Sequence, residues 1–94
     1  MIIIAGRLDV DAADRDAYLA AVDGVARLAR DSPGCLDFVQ AADPIEPGRI
    51  NVYERWDSDA DLHRFRGSGG PLPQLPPLLS ADVQKYRISG VEAP

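Results

Sequence analysis

Residues 49–57, Arg-Ile-Asn-Val-Tyr-Glu-Arg-Trp-Asp, give the clearest alternation in the chain. Ile50, Val52, Glu54 and Trp56 share one parity, while Asn51, Tyr53 and Arg55 share the other. Successive side chains of a strand point to opposite faces, so this segment is a β-strand with the first set turned to a core. Such a strand needs partners to pair with. Its core face also carries a carboxylate, Glu54, beside Trp56.

The rest of the chain supplies the partners. In residues 2–10, Ile2, Ile4, Leu8 and Val10 fall on one face with Gly6 between them, and Ile3 and Ala5 fall on the other. A strand that is apolar on both faces is covered on both sides. Residues 35–42 read as a strand with Leu36 and Phe38 inward, and the Pro- and Gly-rich turn over residues 43–48 folds it back as a hairpin. A last strand is expected from about Asp82 to Val91, with Glu92 to Pro94 frayed.

Two helices separate these strands. Asp11 is a plausible N-cap, and from about Asp14 to Asp31 an apolar stripe recurs at Tyr18, Val22, Val25 and Ala29. Gly24 weakens this helix by about 1 kcal/mol relative to alanine and is expected to permit close packing on the sheet. Ser32-Pro33-Gly34 ends it. Ser58 and Asp61 resemble a capping box for a short second helix, about Asp59 to Arg66, that turns Leu62 and Phe65 inward. Gly67 to Gly70 then reads as a hinge. The Pro/Leu segment from Pro71 to Ser80 reads as a loop with one helical turn around Leu78 and Leu79, either a lid over the cavity mouth or a plain flexible connector.

The order is β-α-β-β-α-β, a split βαβ arrangement in one domain over residues 1–94, with four antiparallel strands and both helices on one face. The other face, bearing Ile3, Ala5, Val39 and Tyr53, has no element of this chain left to cover it. An open apolar sheet of that size is a sticky patch, and a second copy is the economical cover. A homodimer is therefore expected.

Ten basic against fifteen acidic residues give a net charge of −5, which argues against nucleic acid as a partner. The apolar opening Ile2-Ile3-Ile4-Ala5 is too short for a membrane span or a signal peptide, so no membrane partner is expected and a cytoplasmic setting is the default. One cysteine, Cys35, leaves no internal disulfide and is expected in the core. A lone histidine, His63, makes no metal site, but it is the side chain that titrates near neutrality and so a candidate proton acceptor. Glu54 is the other candidate catalytic residue, because burial makes a carboxylate a stronger base, unless Arg7 or Arg87 pairs with it. The expected substrate-binding wall is Trp56, Val52, Phe38, Leu62, Phe65 and Tyr86. Tyr86 and Arg87 alternate, so only one of them enters a given cavity.

Ser32-Pro33-Gly34-Cys35-Leu36, Val52-Tyr53-Glu54-Arg55-Trp56 and the stretch from Ser58 to Leu62 together resemble the antibiotic biosynthesis monooxygenase family of the dimeric α+β barrel group. The resemblance implies a ferredoxin-like α+β domain working as a homodimer. It also implies oxidation of an aromatic, polyketide-like phenol by molecular oxygen with no metal, flavin or haem as cofactor. Relatives often carry histidines nine and thirteen residues after the tryptophan, where this chain has Phe65 and Gly69. The Asn, Trp and ligating His of the haem-cleaving sister group have no match. A non-oxidative isomerase or cyclase, or a ligand-binding stress-response module without turnover, are the competing readings.

Overall fold

The computed structural model describes residues 1–68 and 74–94. Its elements are β1 (Ile2–Val10), α1 (Arg15–Arg30), β2 (Cys35–Ala42), β3 (Arg49–Trp56), α2 (Asp59–Arg66) and β4 (Leu78–Arg87). The strands form one antiparallel sheet in the order β2-β3-β1-β4. This is the expected ferredoxin-like arrangement.

Register explains how the faces divide. Ile2 lies opposite Trp56, Ile4 opposite Glu54 and Leu8 opposite Ile50, so the inward residues of β1 and β3 meet on one side. There Ile2, Ile4, Phe38 and Trp56 pack with Ala29 of α1 and Leu62 of α2. Leu8, Val10, Ile50 and Val52 pack with Tyr18 and Val22 of α1. Both helices thus cover the same face. On the outer face, Ile3, Ala5, Val39, Tyr53 and Arg55 are only partly buried.

Four details differ from expectation. The last strand occupies Leu78–Arg87 and not Asp82–Val91, and it takes in Leu78 and Leu79, where a helical turn was expected. Pairing along β1, from Val10 opposite Leu78 to Ile2 opposite Arg87, sets these limits. Residues 78–80 therefore belong to the sheet and not to a lid, and part of the expected hinge and lid, residues 69–73, lies outside the described residues. Leu36 does not point inward. A register shift between Cys35 and Asp37 turns it outward, 42% exposed, while Phe38 stays buried. Gly24 faces open space and permits no close packing on the sheet. Finally, a 3-10 turn over Ala12–Asp14, with the Ala13 N–H donating to Asp11 at 2.9 Å, precedes α1.

The β2–β3 turn is organised by one carboxylate. Asp43 accepts from the N–H groups of Glu46 (2.8 Å) and Ile45 (3.0 Å) and from the Asn51 amide (2.9 Å). These donors, with the Glu46 N–H foremost, hold its carboxyl down at about 2. Arg15, at the start of α1, donates to the carbonyl of Glu46 at 2.9 Å and ties the helix to this turn.

Candidate functional site

The Ser-Pro-Gly-Cys turn brings α2 to the end of β3. Gly34 has φ 81°, where only glycine is at ease, and a Cβ there would strike the Asp61 side chain. Its carbonyl accepts the Asp57 N–H at 2.8 Å, so the turn sits tightly on the β3–α2 junction. Ser58 caps α2 by accepting the Asp61 N–H at 3.2 Å, while its hydroxyl donates to the Asp61 carboxylate at 2.8 Å. α2 is thereby fixed with Leu62 and Phe65 facing the sheet.

Under α2 lies a cluster of aromatic rings beside one acid. Phe65 stacks on Trp56, with ring centroids 5.4 Å apart, and meets the edge of Phe38 at 6.3 Å. Glu54 lies opposite Phe38 on β2 and is 8% exposed. The Trp56 indole N–H donates to its Oε1 at 3.1 Å. Burial raises the proton affinity of Glu54, while the Trp56 hydrogen bond and the Arg66 charge pull the other way. Neither expected arginine pairs with it: Arg7 binds Asp9 and Glu46, and Arg87 binds Asp59. Cys35 packs against the same cluster, and burial pushes its thiol up, which keeps it protonated.

Five expected site residues (Glu54, Trp56, Phe38, Leu62 and Phe65) are thus brought together, and three are not. Val52 belongs to the neighbouring cluster under α1. His63 is exposed, because the inward spacing of Leu62 and Phe65 leaves the position between them on the solvent side of α2. Tyr86 lies opposite Ile3 and therefore on the outer face of the sheet, 54% exposed. It borders an open depression of about 450 Å³ shared with Arg7, Arg49 and Asn51. Arg87, on the helix side, is held by Asp59 at 2.7 Å.

The acid carries a stability signature whose sign is fixed by its environment. Burial lifts the folded-state pKa of Glu54 above the unfolded value of about 4.3. Its contribution is therefore most favourable below that pH and is lost as pH rises through the folded-state value. Glu54→Gln is expected to gain stability relative to the parent as pH increases from about 4 to about 8. Urea midpoints of the two proteins across that range check it, and a flat difference would remove the burial penalty from the argument.

The profile of the antibiotic biosynthesis monooxygenases matches residues 1–71. The chain belongs to this family. The matched residues include Glu54, Trp56, Phe65 and all of α2, whereas β4 lies beyond them. Among solved structures, a Deinococcus radiodurans protein assigned to the same family is 19% identical, with 99% of this chain and 97% of that one covered at a TM-score of 0.81. A protein of Chloroflexus aurantiacus with the same assignment is 24% identical, covering 98% and 96%, at 0.70. A MhuD mutant carrying two manganese protoporphyrin IX molecules per active site is 15% identical over the whole of both chains, at 0.67. At these identities the likeness is one of fold. No curated protein matches the chain. Among the described residues, no helix is long and apolar enough to cross a membrane.

Proposed function

We propose that this family member is a cofactor-independent monooxygenase that oxidises a small aromatic, phenolic substrate with molecular oxygen. One observation carries the reading: a buried carboxylate, fixed by the Trp56 N–H, stands among the rings of Trp56, Phe65 and Phe38. A buried acid that costs stability at neutral pH is characteristic of a group kept for chemistry. Phe65, the one partly exposed ring of the three, offers stacking surface to a planar substrate.

In the proposed reaction Glu54 takes a proton from the substrate, and the resulting anion gives an electron to oxygen. Recombination forms the carbon–oxygen bond of a peroxide anion, which takes the proton back from Glu54 and then loses water. One oxygen atom remains as a carbonyl, and the other leaves as water. The protein contributes a base, an oriented substrate and a dry wall.

The test is oxygen uptake and quinone formation with a dithranol-like phenol and metal-free protein. The parent should act above background, and Glu54→Gln should lose about a hundredfold or more, as expected for a general base. A parent that consumes no oxygen sinks the proposal. The outward position of His63 leaves Glu54 to move protons without a histidine. That favours, as a second reading, an isomerase or cyclase on a similar ligand, which would convert substrate without consuming oxygen.

We also propose that the working unit is a homodimer joined through the outer sheet face. The subunit is a slab 18 Å thick and 38 by 34 Å in plan, ample for the roughly 800 Å² per partner that a stable interface buries. Sedimentation at micromolar concentration should give about twice the chain mass of 10.1 kDa. A single species of chain mass contradicts the dimer.

A further inference from the structure

β2 ends the sheet: β3 lies on one side of it, and no strand among the described residues lies on the other. Such an edge offers N–H and C=O groups to any passing strand. β2 is a poor candidate for defending itself, since Cys-Leu-Asp-Phe-Val-Gln-Ala-Ala holds a single charge and no proline. The opposite edge strand, β4, carries Asp82, Lys85 and Arg87 of its own.

The Phe38 backbone nevertheless has both of its groups occupied by side chains. Its N–H donates to Oδ1 of Asp37 at 2.8 Å. Its C=O accepts from Nε of Arg30 at 2.9 Å. The N–H and C=O of one strand residue project to the same side, and partners of this kind belong on the side away from β3. The guanidinium and carboxylate are themselves 4.0 Å apart. Together they present the acceptor and the donor that a neighbouring strand would bring.

Local structure accounts for both partners. The register shift between Cys35 and Asp37 sets Asp37 just before Phe38 in a bulged strand, and bulges are a common way of spoiling an edge. Arg30 is the last residue of α1, which packs along β2. The helix therefore lends the strand the cation it lacks.

We infer that Arg30 and Asp37 form a cap that closes the free edge of β2 at Phe38 and bars its pairing with β2 of a second copy. Antiparallel pairing of β2 with itself is self-complementary, and the outward Leu36 would add an apolar contact. With the edge closed, association is directed to the outer sheet face. The inference stands independently of the oxidation proposed above.

Two readouts test it. In Asp37→Ala, exchange of the Phe38 amide should accelerate about tenfold, the factor that one net hydrogen bond is worth, while the Val39 amide, directed at β3, should not change. In Arg30→Ala and Asp37→Ala, thioflavin-positive assembly should start several-fold earlier than in the parent, with the double variant close to the singles because the cap acts as a unit. Arg27→Ala, which removes a more exposed cation paired with Asp23 on the same helix, should behave as the parent. Adding Leu36→Lys to Arg30→Ala should restore the parental lag, because a charge at the edge replaces the cap without restoring its hydrogen bonds. Unchanged Phe38 exchange overturns the inference. So does assembly that Leu36→Lys fails to suppress, since that would trace it to lost stability and not to an open edge.

Discussion

Trp56→Ala is expected to lower stability by about 3–5 kcal/mol, the range for a large aromatic removed from a core. Trp56 is fully buried and packs with Ile2, Ile4, Ala29, Phe38 and Leu62. Truncation would leave a void where strand, helix and turn converge, and Phe65 would lose the ring it stacks on. It would also strip Glu54 of its donor, and an unpaired buried acceptor costs roughly a further 1–3 kcal/mol. Small domains hold about 5–15 kcal/mol in total, so this variant should be largely unfolded near 37 °C. Urea unfolding followed by circular dichroism measures the loss. Trp56→Phe separates the contributions, because it keeps a packed ring while removing the N–H. A loss below about 2 kcal/mol in the alanine variant would mean that the site is looser than its packing indicates.

The second large effect is expected at Gly6→Ala, far from any proposed chemistry. Gly6 has φ 154° in the middle of β1, between Val52 on β3 and Val83 on β4. A Cβ there would fall on the carbonyl oxygen of Asp82 and crowd the Val83 backbone. Backbone cannot swing aside as a side chain does, so β4 must shift or peel from β1. The strained φ adds roughly 1–3 kcal/mol. Hydrogen exchange should show β4 amides losing protection first and most, with β2 and β3 little changed at moderate denaturant. Uniform behaviour across all four strands, at parental stability, would contradict the close approach.

The parts of the fold that were legible in the sequence are those fixed by local periodicity. β3 and α1 announce themselves because one face of each is buried along its whole length. The same parity placed Glu54 and Trp56 together. β4 carries no such stripe: of its ten residues only Val83 is even partly buried, so its limits come from pairing with β1 and not from its own pattern. Which of Tyr86 and Arg87 faces the helices is therefore set by a register that the sequence does not print, and pairing with Ile3 puts Tyr86 outside. Leu36 failed differently. One bulged residue reverses parity, and nothing in Cys-Leu-Asp-Phe marks it. The Trp56–Glu54 hydrogen bond was not foreseen either, although two residues of equal parity on one strand are close enough to make it.

The strand order also dictates when the molecule can become whole. β1 holds the middle of the sheet, yet Ile2 waits for Trp56 on one side and for Arg87 on the other. Only the β2–β3 hairpin closes through a short loop, which makes it the expected place for folding to begin. The isoleucine-rich β1 precedes both of its pairing partners along the chain, so it is among the last segments to find shelter. Contacts so distant along the chain slow folding, and they leave that segment open to wrong partners for longest.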